Sequence, residues 1–164
     1  MKLASILLGG NLGNRVENLT LAIQLIKENC GKIIHTSAMY ETAAWGIANQ
    51  PDFLNQAITI ETSLSPEKLL QQLLSIENKM GRKRSVKYGA RTIDLDILLF
   101  DDAIINLPNL QIPHPALTQR RFALIPLTEI AGSTIHPIEK KTIQQLLLDC
   151  KDELNVKKYS AITY

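Results

Sequence analysis

Aromatic side chains are scarce in this chain: Phe, Trp and Tyr together make up 5% of its 164 residues. A ferredoxin-like nucleic-acid platform needs exposed rings on its central strands, and the first strand offers none. Cysteine is almost missing as well. Cys30 and Cys150 stand far apart and fit no metal or redox spacing, so a reduced, cytoplasmic chain is expected. Net charge is only +2, too weak for bulk attraction to nucleic acid or a membrane. No apolar run is long enough to span a bilayer. The opening MKLASILLGG has a lysine before an apolar run, but that run is short for a signal peptide and no cleavage motif follows. Any electrostatic function must come from local clustering.

What remains is an ordinary globular composition, 45% apolar and 21% charged, of a size that fits one domain over residues 1–164. Leu3–Leu8 reads as a buried strand, followed by the turn GGNLGN. Asn14 with Glu17 three residues on marks a helix start, and Leu19, Ala22, Ile23 and Ile26 recur at helical spacing up to Cys30–Gly31. Lys32–Thr42 reads as a second strand and Phe53–Thr62 as a third, with a loop closed by Pro51 between them. Ser65–Pro66–Glu67 starts a second helix, striped by Leu69, Leu73, Ile76 and Met80 and ended by Gly81. A fourth strand then runs through RTIDLDILLFDD. The order βαββαβ is that of a ferredoxin-like α+β sandwich. Beyond it lie a short Ile104–Ile105 segment, the turn-rich LPNLQIPHP, helices around Arg120–Ile130 and Thr142–Leu148, and a polar tail.

Strand alternation puts Ile93, Leu95, Ile97 and Leu99 on one face and Asp94 with Asp96 on the other. Two carboxylates whose α-carbons are about 6.5 Å apart can converge on one cation or a close pair. Such hard oxygen ligands suit magnesium, which completes its shell with water and phosphate. A lone D-x-D is more often a solvated strand face. Here, however, Arg82, Lys83, Arg84, Lys87 and Arg91 immediately precede it. In a chain of nearly balanced charge, that run beside two carboxylates fits a clamp on a polyphosphate. GGNLGNR lacks both the P-loop lysine and the dinucleotide-binding spacing, so phosphate would be gripped by side chains and metal. Phe53 and Asn55 project to one face, though an aromatic on a strand is usually core. His114 sits between prolines ahead of Arg120, Arg121 and Phe122, a place where histidine is more often structural. His35 and His136 have no matching partners.

Four stretches together, LLGGNLGNRVENL, YETAAWGIANQPDFLNQAITIET, IENKMGRKRSVKYGARTIDLDILLFDD and IPHPALTQRRFALIPLTEIAG, resemble the 6-hydroxymethyl-7,8-dihydropterin pyrophosphokinases of folate biosynthesis. They occur in that family's order over roughly residues 5 to 132. The resemblance implies transfer of pyrophosphate from ATP to the pterin's hydroxymethyl group, releasing AMP. It implies two Mg2+ ions held by Asp94 and Asp96, with Arg82 and Arg91 assisting transfer from a mobile loop that also carries Arg84 and Tyr88. Glu77, Ile97, His114 and Arg120 would line the ATP site. Phe53 and Phe122 would stack on the pterin, with Thr42, Asn55 and the backbone of Ala43, Ala44 and Trp45 at its polar edge. Asp96 could accept the hydroxyl proton, or the metal could make a separate base unnecessary.

Several positions depart from the family's pattern. Gly10 stands where serine is common, Ala43–Ala44 replaces a proline-containing pair, and Tyr88 replaces a frequent tryptophan. Ala90 replaces the proline before the second arginine in a slightly short loop, and Asn109 and Gln111 also differ. No metal ligand or catalytic arginine is removed. Among enzymes the rival reading is a nucleotidyltransferase, which would release pyrophosphate in place of AMP. Outside enzymes it is a non-catalytic nucleic-acid or small-molecule binding module. ATP and the pterin are the expected partners, without nucleic acid or membrane, and a monomer is the default expectation.

Overall fold

The computed structural model describes residues 1–43, 50–81 and 92–160. Its centre is an antiparallel sheet built around β1 (Lys2–Gly10), flanked by β4 (Phe53–Thr62) and β5 (Asp94–Phe100). Beyond β4 lie β2 (Lys32–Thr36) and β3 (Tyr40–Thr42), both paired with it, and β3 in turn pairs with β8 (Val156–Lys158). Two further strands, β6 (Ile105–Leu107) and β7 (Leu110–Ile112), form a separate hairpin beside β5. No helix among the described residues is long and apolar enough to cross a membrane.

The helices begin where local chemistry tells them to. Asn14 accepts the Glu17 N–H and starts α1 (Arg15–Asn29), while Ser65 accepts the Lys68 N–H and starts α2 (Pro66–Lys79), with proline at its first turn. Thr142 and Gln145 form a reciprocal capping box at α4 (Ile143–Asp149). Helix α3 (Arg121–Ala131) receives no side-chain cap from Arg120, the residue at its N-cap position.

Alternation divides the apolar side chains between two faces of the sheet. Ala4, Ile6, Leu8, Leu54, Ile58 and Ile60 face α1 and α2, where they meet Leu19, Ile26, Leu69, Leu73 and Ile76. Leu7, Ala57 and Leu99 face the other way, toward Ala123, Leu124 and Leu127 of α3 and Ile143 and Leu146 of α4. That second layer reaches the Leu7–Ala57 row. The same face continues with Gly9, Asn55, Phe53 and Asp94, of which Phe53 and Asp94 are half-buried.

Several elements differ from the sequence-based expectation. Lys32–Thr42 is broken at Ser37–Met39, where Ser37 turns its hydroxyl and backbone onto Ala57 of β4. Gly9 and Gly10 belong to β1 because they continue its ladder with Asn55 and Leu54. Leu99 does not share a face with Ile93, Leu95 and Ile97. The register slips between Ser5 and Ile6, whose partners are Leu99 and Ile97, so Leu98 is an extra residue on β5. That bulge turns Leu99 to the α3 face and Phe100 back to the α1–α2 face. The short segment expected at Ile104–Ile105 and the turn-rich stretch after it form the β6–β7 hairpin, and the polar tail supplies β8.

Gly31, in the turn from α1 to β2, is pressed against the end of β4. A Cβ there would stand 2.2 Å from the Glu61 carbonyl oxygen and 3.0 Å from its carbon. Backbone cannot yield as a flexible side chain would. Gly31→Ala is therefore expected to destabilise the fold by about 1–3 kcal/mol, read as a lower urea midpoint at unchanged slope. An unchanged midpoint would contradict this packing.

Candidate active site

Strand register brings the candidate residues into rows on that sheet face, beyond the Leu7–Ala57 row. Gly9 of β1 lies opposite Asp94 on one side and Asn55 on the other, and Asn55 in turn lies opposite Tyr40. Phe53 lies opposite Thr42 one row further out, and Asp96 opposite Leu7 one row further in. Thr42, Phe53, Asn55, Asp94 and Asp96 thus share one face, as their alternation predicts. Gly9 is what lets Asn55 lie across the sheet, since a Cβ at Gly9 would come within 2.4 Å of Asn55 Oδ1. Asn55 is 4% exposed, and its Nδ2 has no hydrogen-bond partner among the described residues. A buried donor left unpaired costs about 1–3 kcal/mol, which a ligand acceptor would recover.

The aspartates sit on an edge strand, and two contacts hold that strand. Glu77 of α2, only 2% exposed, accepts the Leu95 N–H at 2.8 Å through Oε2. It therefore satisfies a backbone donor located between the two carboxylates and ties β5 to the helix layer. The carbonyl of Leu98, the bulge residue, accepts the N–H of His114 at 3.0 Å. His114 follows a cis Ile112–Pro113 bond, and its Nδ1 accepts the Ala116 N–H at 3.1 Å. The neutral ring therefore carries its proton on Nε2. Burial, seconded by Arg120, pushes its pKa from 6.5 down to about 4, with Asp94 pulling the other way.

A cleft of about 340 Å³ runs along this edge, lined by Leu95, Asp96, Ile97, Leu110, Gln111 and His114, with Leu70 and Asn109 at its margin. On the opposite side, Phe122 packs half-buried against the second core layer, with the Arg120 guanidinium 5.6 Å from its ring centroid. Among the described residues no group of three or more His, Cys, Asp or Glu side chains converges as a metal cage. Asp94 and Asp96 are thus a two-carboxylate oxygen donor set, which fits magnesium better than zinc.

Of the residues singled out from the sequence, Thr42, Phe53, Asn55, Glu77, Asp94, Asp96, Ile97, His114, Arg120 and Phe122 are placed on these elements. Ala43 follows β3 and is exposed. Ala44, Trp45, Arg82, Arg84, Tyr88 and Arg91 lie outside the described residues, as does the basic loop expected to move. Thr42 is 4% exposed, and its hydroxyl donates to the Asn155 carbonyl at 3.0 Å. Its hydroxyl proton is thus committed within the fold.

Tyr40, Asn11 and Glu129 were not singled out from the sequence. Tyr40 donates to Glu129 Oε1 at 2.5 Å while the Ala38 N–H donates to Oε2 at 2.8 Å, so one carboxylate of α3 pins the break between β2 and β3. Burial, together with that carboxylate, raises the Tyr40 hydroxyl to about 12 and keeps it a neutral donor. Asn11 donates to Gln50 Oε1 and the Pro51 carbonyl, at 3.1 and 3.0 Å, and so anchors the entry to β4. The polar N-L-G-N turn was the only signal for Asn11. Tyr40 and Glu129 become visible only with the register.

The His114 shift has a defined sign. The unfolded chain binds the extra proton first as pH falls, so this contribution to stability is full above 6.5 and declines toward 4. In a ¹H NMR titration of the ligand-free protein, the His114 ring is expected to show its midpoint near 4. A midpoint near 6.5, the value of an unburied ring, would contradict the burial described.

The family model described as 7,8-dihydro-6-hydroxymethylpterin-pyrophosphokinase (HPPK) matches residues 5–132. The 2-amino-4-hydroxy-6-hydroxymethyldihydropteridine pyrophosphokinase of Aquifex aeolicus is 41% identical over 138 residues, covering 84% of this chain and 86% of its own. The enzyme of that name from Haemophilus influenzae is 40% identical over 155 residues, 94% of this chain and 96% of its own. In fold, the chain is similar to a crystal structure of Plasmodium falciparum HPPK-DHPS with SDX-DHP, at a TM-score of 0.75 and 21% identity. That match covers 91% of this chain but only 43% of the longer Plasmodium one. The matched region runs from β1 through the aspartate strand to the end of α3, and the chain belongs to the 7,8-dihydro-6-hydroxymethylpterin-pyrophosphokinase family.

Proposed function

We propose that this chain transfers pyrophosphate from ATP to the hydroxymethyl group of 6-hydroxymethyl-7,8-dihydropterin, releasing AMP, as a step of folate biosynthesis. The family and its pyrophosphokinase relatives support the reaction. The single structural observation that carries it is the placement of Asp94 and Asp96. They stand between a cleft along the strand edge and a face bearing an aromatic ring and an amide donor without a partner among the described residues.

In this reading Phe53 and Phe122 stack on the pterin, Asn55 Nδ2 donates to an acceptor on its edge, and backbone at Thr42, Ala43, Ala44 and Trp45 meets the rest. A flat heterocycle suits such a pair of rings, each worth about 0.5–1.5 kcal/mol beyond burial. ATP occupies the edge cleft against Ile97 and His114, with Glu77 behind it on the Leu95 N–H, Arg120 acting on the His114 ring, and Arg84 and Tyr88 contributing from the basic loop. His114, held neutral, presents Nε2–H as a donor that needs no counter-charge. Asp94 and Asp96 would hold two Mg2+ ions, which would supply the charge that neutralises the triphosphate. The pterin hydroxyl oxygen forms its bond to the β-phosphorus as the bridge to the α-phosphate breaks, AMP leaving with that oxygen. Arg82 and Arg91 stabilise the charge that develops, and Asp96, which lines the cleft, is the candidate acceptor of the hydroxyl proton. Positioning and charge do most of this work, which is why no strong base is needed.

The same reading describes the core as ferredoxin-like. The order β5-β1-β4-β2, all antiparallel, with α1 and α2 on one face, supports that description. A monomer in the cytoplasm completes the proposal, resting on composition alone.

The test is an end-point assay with ATP, magnesium and 6-hydroxymethyl-7,8-dihydropterin, following AMP by chromatography. AMP is expected to form only with pterin present, and to fall at least about 100-fold in Asp94→Ala/Asp96→Ala or on chelation of the metal. Pyrophosphate in place of AMP, or AMP independent of pterin, would overturn the proposal.

A further inference from the structure

The segment after α4 lies beyond residues 5–132 that the family model matches, yet it reaches both walls of the proposed pterin site. Helix α3 carries Phe122 one residue past its start, and Arg120 gives that start no side-chain cap. The cap comes instead from 31 residues away. Asp152 Oδ2 accepts the Arg121 N–H at 3.0 Å, and its Oδ1 accepts the Leu154 N–H at 3.0 Å. A carboxylate at a helix N-terminus satisfies one of the exposed donors there and complements the positive end of the dipole. Three residues further on, the Asn155 carbonyl accepts the Thr42 hydroxyl at 3.0 Å, and Val156–Lys158 then pairs with Tyr40–Thr42. The Tyr159 N–H continues the attachment, donating to the Met39 carbonyl at 2.8 Å.

The four residues Asp152–Asn155 therefore tie the start of the Phe122 helix to the strand that faces Phe53. One carboxylate serves both ends of the tie: one oxygen caps the helix, and the other fixes the turn that delivers Asn155 to Thr42. We propose that Asp152 is a positioning residue for the pterin, setting the spacing between the ring that stacks on one face of the heterocycle and the wall that holds the other. The inference rests on the pterin reading of Phe53, Phe122 and Thr42. Asp152 touches no substrate in it. Removing its carboxylate leaves the sheet, the aspartates and the edge cleft in place but lets the two aromatic walls drift apart.

The experiment measures two dissociation constants for the wild-type chain, Asp152→Ala and Asp152→Asn. One is for α,β-methylene-ATP with magnesium, the other for 6-hydroxymethyl-7,8-dihydropterin in the presence of that analogue, with thermal midpoints recorded in parallel. In Asp152→Ala the pterin constant is expected to rise about fivefold, the equivalent of one lost helix cap, while the nucleotide constant changes less than about twofold. Asp152→Asn keeps one acceptor oxygen, enough for the Arg121 N–H or the Leu154 N–H but not both, and is expected to recover part of the loss. A lower thermal midpoint with unchanged pterin affinity would make Asp152 purely structural and overturn the proposal. Equal weakening of both ligands, or an Asn variant as weak as the Ala variant, would also overturn it. A wild-type chain that binds the nucleotide analogue but no pterin would instead remove the underlying reading, and the proposal with it.

Discussion

Strand β5 has to satisfy two demands that a regular strand cannot meet together. Toward its start it must turn two carboxylates out on one face while burying Leu95 and Ile97 on the other. Toward its end it is covered on both faces, by α1 and α2 below and by α3 and α4 above. Strict alternation from Asp94 would place Leu98 and Phe100 on the carboxylate face and Leu99 on the opposite one. The extra residue at Leu98 resets that pattern, so that Leu99 fills the α3 layer and Phe100 the α1–α2 layer. A polar half and a doubly buried half can then coexist on one short strand.

The bulge also does chemical work, because a residue outside the regular ladder has a carbonyl to spare. That carbonyl takes the His114 N–H, bringing the histidine loop against the edge of the strand beside Asp96. On the helix side, Glu77 closes another open group of the same edge at Leu95. An edge strand would ordinarily invite pairing by another chain. Here its free side is taken up by a buried carboxylate and a loop, and the space left over is the cleft. Across the sheet, Gly9 contributes by having no side chain. The Asn55 amide settles into that gap, and its buried donor has no partner among the described residues. Such a donor lowers stability in the ligand-free state and raises selectivity for a ligand with an acceptor in the right place.

How far the sequence shows this depends on the range of each interaction. Helix starts at Asn14 and Ser65 were legible because a cap is made three residues away. The shared face of Asp94 with Asp96, and of Phe53 with Asn55, was legible because period-two alternation holds locally. The Leu99 error arose because an uninterrupted I-L-L-F run carries no mark of which face each residue takes. Similarly, Lys32–Thr42 read as one strand because nothing in its side chains announces that Ser37 will turn onto Ala57. The tail strand Val156–Lys158 is short and basic, and exists through its pairing with Tyr40–Thr42. Tyr40, Glu129 and Asp152 belong to the same class. Their roles are made by partners dozens of residues away, and no local pattern encodes them.

The central claim is that nucleotide and metal gather over the aspartate half of β5. Manganese, which takes the same hard oxygen ligands as magnesium but is paramagnetic, reports that position directly. Added with α,β-methylene-ATP to isotopically labelled protein, it is expected to broaden the amide resonances of Gly9, Asp94, Leu95, Asp96 and His114 before any others. The acidic cluster around Asp149 and Glu153, at the end of α4 and just beyond it, should stay sharp. Broadening centred on that cluster, with the Asp94–Asp96 amides unaffected, would contradict the account.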